Sequence, residues 1–292
     1  MLITPLPGVD RRNVRDALNH VWTKTVNTRH HSGKPNELCL AYLAWAVETA
    51  THLRSQISAR DIDRLILTRR YWALQQVIAT ANLNSMQGAH VAQLVRMELE
   101  EREADQKAAL DTFERRVQSW SDLGVYVVAD TTFYIQHTDK LETADLASLV
   151  QAREYDAIHL LFPMVVVDEL DNLKQHGKQH TRWRAGHTLA VLDRVLASST
   201  RGVFRSRGMK IDDGRIETRD ITVEIVLDPP GHTRLPINDD EIIDRAKAIE
   251  ALAARPITLL TYDTSQATRG RQADLNVVKL RQDLSAEEPS RT

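Results

Sequence analysis

Four short motifs place carboxylates where chemistry could be done. They are VVADTTFYI around Asp130, VVVDELDNLK around Asp168, Glu169 and Asp171, NDDEII at Asp239 and Asp240, and LLTYDTS at Asp263. Three of them follow or contain apolar runs that read as buried strands: GVYVVA (124–129), PMVVV (163–167) and ITLLT (257–261). Ligands of open parallel α/β sheets bind in the crevice beyond the carboxyl ends of the strands. If these strands are neighbours, acids far apart in the chain converge on one edge of a sheet.

Each acid alone has a plainer use. A carboxylate between a strand and a helix is a good N-cap. Asp168, with Asp171 three residues on, fits that pattern, and Asp239 or Asn238 could cap the helix NDDEIIDRAKAI. The set is harder to dismiss. Two unit charges about 6 Å apart repel by roughly 3 kcal/mol at an effective dielectric near 20, and the pairs among four carboxylates sum to on the order of 10 kcal/mol. Whole-domain stability is only ~5–15 kcal/mol. Such a cluster must be protonated, paired with cations or filled by metal. No Lys or Arg lies in VVADTTFYI, FPMVVVDELDN, INDDEII or LLTYDTS. An all-oxygen donor set favours a hard ion, Mg²⁺ or Mn²⁺, over zinc. His176 and His180 share the polar segment KQHGKQHTR, broken by Gly177, and read as solvated or phosphate-facing.

The elements that must position these acids divide near residue 120. Before it the pattern is helical, over 38–57, 61–81 and 88–120, with Trp22, Trp45 and Trp72 as candidate core and Arg69-Arg70-Tyr71-Trp72 as the one suggestive patch. After it, short apolar strands alternate with helices around 142–154, 169–198 and 239–254, which predicts a parallel sheet covered by helices on both faces. A less regular segment, 198–238, contains the strand pattern ITVEIVL and the turn Pro229-Pro230-Gly231, and the tail 284–292 reads as disordered. The fold class expected is therefore α/β, preceded by an all-α region.

Composition bounds the rest. The chain has 292 residues, 42% hydrophobic and 27% charged, with 38 Lys+Arg against 40 Asp+Glu. Net charge therefore does not announce a nucleic-acid binder, and any such surface must be local. Cys39, the single cysteine, sits in the apolar run LCLAYLAWAV and reads as a packed thiol, which excludes an internal disulfide and a thiolate metal cluster. That run is too short to span a bilayer and the start carries no signal-peptide pattern, so a cytoplasmic protein is expected.

In order and context, the four motifs resemble those of the PIN-domain nucleases: strand then D-T-N/S, E-L-D-x-L-K, D-D-x-I-L, and strand then T-x-D. The resemblance covers residues 124–282, within a domain bounded at 121–283, and leaves residues 1–120 outside it. It is closest to the subgroup holding the nonsense-mediated-decay endonuclease domain and PIN domains attached to bacterial ATPases. It implies that Asp130, Glu169, Asp240 and Asp263 bind Mg²⁺ or Mn²⁺, with Asp239 an alternative to Asp240. Thr131, Thr132 and Thr261 would support them, although Thr132 stands where many members carry Asn or Ser. The usual N-L-R-x-K-A run after the last acid is replaced by TSQATRGRQA. The activity implied is endonucleolytic hydrolysis of single-stranded RNA.

An anionic substrate needs cations. Residues 174–219 carry a large excess of them, and Lys174, Arg182 and Arg184 beside the second acid motif are the candidates for substrate binding. Trp183 between the two arginines is placed to stack on a base, or else packs on the sheet. Two rival readings are an inactive RNA-binding or protein-interaction module, and an aspartyl-phosphate phosphatase, which normally wants a second Asp where Thr132 stands. The helical region is expected to pack on the nuclease domain, build a homo-oligomer, or receive a partner such as an inhibitor protein.

Overall fold

The computed structural model describes residues 3–6, 8–229 and 232–281. The tail 284–292, and Pro230 and Gly231 of the expected turn, lie outside the described residues. The chain forms two compact units, one comprising residues up to Ser121 with Ala251–Ala254, the other Asp122–Glu250 with the residues from Arg255 on.

The first unit is helical: α1 (Arg11–Arg29), α2 (Pro35–Leu53), α3 (Ala59–Leu65), α4 (Arg69–Thr80) and α5 (Met86–Ser119). The periodicity over 61–81 predicts one helix, and the chain makes two. Thr68 is the reason: its hydroxyl accepts from Tyr71 N at 3.1 Å and donates to the buried Glu98 at 3.0 Å, which caps a new helix. Of the three tryptophans expected in the core, only Trp45 is there. It is 1% exposed and donates to Thr25 Oγ1 at 2.8 Å, whereas Trp72 is 51% exposed. The Arg69–Trp72 patch dissolves as well, because Arg70 is held by Glu98 and Glu101, and Tyr71 is buried.

The second unit runs β1 (Val125–Ala129), α6 (Thr131–Gln136), α7 (Leu146–Leu149), β2 (Ile158–Pro163), α8 (Met164–His176), α9 (Gln179–Leu196), β3 (Arg201–Arg205), β4 (Ile221–Val226), α10 (Asn238–Ala253), β5 (Ile257–Thr261), α11 (Thr264–Gln272) and β6 (Asn276–Lys279). The sheet order is β3-β4-β2-β1-β5-β6, parallel throughout except for the antiparallel β3–β4 pair. Strands β2 and β5 are buried at every residue, as strands covered on both faces must be. Among the described residues no helix is long and apolar enough to cross a membrane.

One strand is displaced from its expected place. The second strand is IHLLFP, and the run MVVVDELDNLKQH is helical from Met164. Pro163 ends β2 by lacking the N–H that the ladder needs. Val165 and Val166 then stay buried on one side of α8, so tertiary packing overrides their β preference. Asp168 is consequently not a helix cap. It lies on the second turn, paired with Arg234 at 2.5 Å.

Helix α11, which follows the last acid motif, is seated by Gly270. A Cβ there would stand 2.7 Å from Leu259 Cδ2 and 2.9 Å from Val277 Cγ2, with strands β5 and β6 beneath. Gly270→Ala should therefore destabilise the protein by about 1–3 kcal/mol despite its better helix propensity. The denaturant midpoint measures this, and an unchanged or raised midpoint would contradict the packing described.

Candidate metal-binding cleft

The parallel β1–β5 pairing builds the centre of the site. Ala129 is in register with Leu260, and Asp130 N donates to Leu260 O at 3.1 Å, so the residues just beyond the two strands are neighbours. Asp130 caps α6, accepting from Phe133 N at 3.0 Å, and Asp263 caps α11, accepting from Gln266 N at 2.9 Å. The sequence alternatives of cap and site are thus not exclusive, since capping uses one carboxylate oxygen of each.

Two further carboxylates come from helices. Glu169 enters from α8 and Asp239 from the first turn of α10. With Asp130 and Asp263 they line a cleft of about 400 Å³, completed by Thr131, Thr132, Ile135, Gln136, Asn172, Leu173, Thr181 and Ile242. The lining contains no Lys, Arg or His.

The three threonines named from the sequence all touch the acids. Thr132 Oγ1 lies 2.7 and 2.9 Å from the two oxygens of Asp130 and accepts from Tyr262 N at 3.1 Å. A hydroxyl on this backbone serves where an amide is common, because one donor and one acceptor are all that is used. Thr261 Oγ1 donates to Asp130 Oδ2 at 2.5 Å and accepts from Asp263 N at 2.8 Å. Thr131 Oγ1 donates to Glu169 Oε2, whose other oxygen accepts from Asn238 Nδ2 at 2.6 Å. That role for Asn238 was not read from the sequence, where Asn238 figured only as a cap.

Electrostatics follow the burial. Asp130 is 4% exposed. Desolvation raises its pKa above the ordinary carboxylate value and Asp263 adds to the rise, against hydrogen bonds from Thr261, Thr132 and Phe133 N. Burial likewise raises Asp239, followed by repulsion from Asp263, with Arg269 opposing and Glu169 and Asp240 adding. The cleft therefore holds negative charge that the protein itself leaves poorly compensated.

The doubled acid is resolved in favour of Asp239. Asp239 lines the cleft, whereas Asp240, the residue first expected to face the metal, pairs with Arg269 Nη1 at 2.5 Å. Successive residues of a helix point about 100° apart, so only one of the two can face inward.

The substrate-binding candidates separate too. Lys174 and Arg182 are exposed on α8 and α9, the helices that supply Asn172, Leu173 and Thr181 to the cleft wall. Arg184 is 6% exposed and donates to Tyr134 O at 3.0 Å, His137 O at 2.9 Å and Asp139 O at 2.7 Å. It is a structural tie with no donor to spare for phosphate, which corrects its assignment. The basic excess of residues 174–219 is largely neutralised by acids from elsewhere in the chain. Arg194 meets Glu142, Arg201 meets Asp122, and Arg215 meets Asp145. Their partners are too far along the sequence to be guessed.

A tighter grouping of donor atoms, within 4.8 Å of one another, is made by His232, Glu241 and Asp244. Here the compensating cation is present: Arg245 pairs with both Glu241 and Asp244, and Glu241 also accepts from Leu235 N at 2.9 Å. This cluster ties the segment before α10 to that helix. Neither His176 nor His180 belongs to such a grouping among the described residues.

A sequence profile of the PIN domain matches residues 127–281, more than half of the chain. The chain belongs to the PIN-domain family. No curated protein matches it in sequence. All four acids of the cleft and their three threonines lie within the matched PIN domain, and the helices α1–α5 precede it. PIN domains are in general nucleases that use divalent metals, and the residues of this cleft fit such an ion. The donors are all oxygen, the central one is buried and strained by its neighbours, and no side-chain cation of the lining neutralises them.

Proposed function

We propose that this PIN domain is a Mg²⁺- or Mn²⁺-dependent endoribonuclease acting on single-stranded RNA. The observation that carries the reading is the cleft lined by Asp130, Glu169, Asp239 and Asp263 with no cation in its walls. A bound divalent ion would supply charge for the phosphate and acidify the attacking water. Asp130 and Asp263, rigid as helix caps, and Glu169 and Asp239 from α8 and α10 would hold it. Thr131 and Asn238 orient Glu169, while Thr132 and Thr261 orient Asp130, so each carboxylate is preorganised for one role. Lys174 and Arg182, exposed beside the cleft, would meet the phosphates flanking the scissile bond.

Cleavage of an unstructured RNA with Mn²⁺ or Mg²⁺, abolished by chelation, is the expected result. Titration calorimetry should show Mn²⁺ binding that weakens as pH falls, because protons compete for Asp130 and Asp239, whose pKa values are raised. Absence of divalent-ion binding would sink the reading in favour of an inactive module.

A further inference from the structure

Trp183 is 50% exposed, unusual for a tryptophan held so firmly. His187, one helical turn along α9, stacks on it at 5.0 Å between ring centroids and 11° between planes. His187 is itself fixed by Glu142 at 2.8 Å. Lys140 Nζ lies 5.3 Å from the tryptophan ring centroid and makes no ion pair among the described residues. Half-exposed indole, rigid support and an adjacent ammonium form a prepared surface.

That surface is joined to the cleft by short connections. Thr181, two residues before Trp183 on α9, lines the cleft, and so does Gln136, four residues before Lys140. The buried Arg184 bonds α9 to Tyr134 O, His137 O and Asp139 O, locking the helix that carries Trp183 to the loop that carries Lys140. The residue that sequence reasoning assigned to phosphate instead fixes the geometry around its neighbour.

Resting on the proposed nuclease reading, we propose that Trp183 and Lys140 form a base-stacking subsite for an unpaired nucleotide of the RNA strand leaving the acid cleft. The base stacks on the open part of the indole. Lys140, displaced from the ring, meets the phosphate of the same nucleotide. An indole accepts any base, so the subsite selects single strands over duplexes without selecting sequence. Exposed Arg182, adjacent in the chain, extends the positive rim.

The test compares wild type, Trp183→Ala and Trp183→Phe on a short unstructured oligoribonucleotide, on the same oligonucleotide carrying single abasic positions, and on bis(p-nitrophenyl) phosphate with Mn²⁺. Trp183→Ala should weaken oligonucleotide binding about 5- to 150-fold, the equivalent of stacking one base. The loss should appear in KM more than in kcat, and Trp183→Phe should restore most of it. One abasic position should weaken wild type while leaving Trp183→Ala unaffected. Unchanged oligonucleotide KM in Trp183→Ala, or additive effects of the abasic site and the substitution, overturns the subsite. Bis(p-nitrophenyl) phosphate has no base, so its turnover reports the cleft alone and should be equal in all three proteins. Failure of wild type to turn it over or cleave RNA overturns the nuclease reading instead.

Discussion

Asp130→Asn should cut Mn²⁺-dependent cleavage about 1,000-fold, equivalent to about 4 kcal/mol at the transition state, while leaving the metal-free fold at least as stable at neutral pH. The two halves have one cause. Asp130 is 4% exposed, and its pKa is raised by burial and then by Asp263. A folded-state pKa above the unfolded value means that the folded protein binds the proton more tightly. The stability this group contributes is complete below the ordinary value of 3.8 and is lost as pH rises through the raised one. At neutral pH the metal-free protein therefore carries a destabilising buried charge, and asparagine removes it. The substitution has a cost, because an amide NH₂ cannot accept from both Thr132 and Thr261. One lost hydrogen bond is worth about 1 kcal/mol, less than the several kcal/mol of a poorly compensated buried charge. Melting curves with EDTA and with Mn²⁺ check this directly. Mn²⁺ should raise the wild-type midpoint and leave the variant unmoved. A variant that cleaves like wild type would end the assignment of Asp130.

The second large effect distinguishes neighbours. Asp239→Asn should lower activity about 100-fold and weaken Mn²⁺ binding, whereas Asp240→Asn should stay within about 5-fold of wild type. Asp239 lines the cleft and its pKa is raised by burial and by Asp263, so it is part of the uncompensated charge. Asp240 spends its charge on Arg269 at 2.5 Å, both side chains being 37% exposed. An exposed pair of that kind contributes about 0–1 kcal/mol to stability. The comparison is internally controlled, since both substitutions remove one negative charge from the first turn of the same helix. Equal losses would mean that general charge, not ligation, is being measured. The reverse order would mean that α10 turns its other side to the cleft.

How much of this was legible beforehand differs between residues. Asp130 and Asp263 were found because a short apolar run followed by an acid is a local signal, and the local structure agrees: β1 and β5 end one and two residues before them. Glu169 was found for a partly wrong reason. Its apolar approach, Val165–Val167, has the composition of a strand but forms the first turns of α8. The strand proper is IHLLFP, ended by Pro163. The acid reaches the cleft because a turn and a half of helix follows the strand. Motif order carried the reading past that error. Helix α1 went unread although Val14, Leu18, Val21 and Thr25 recur at helical spacing, because polar residues surround them. Strands β3 and β6 are short and only partly buried, so their apolar pattern is weak.

The sequence by itself determined the kind of site: four acid motifs without local cations, oxygen donors only, a hard divalent ion as the fitting occupant, and an α/β sheet to gather them behind a helical region. Those are statements about composition and short-range pattern, which a linear string contains. Tertiary structure decided which side chain does what. It turned Asp239 inward and gave Asp240 to Arg269, buried Arg184 under three carbonyls, brought Asp122, Glu142 and Asp145 to the arginines of the basic stretch, and left Trp183 half open beside Lys140. The physical reason is that burial and charge pairing depend on neighbours contributed from distant parts of the chain. A helix rotates each successive residue by about 100°, so the same acidic pair can serve or miss a site depending on how that helix is seated.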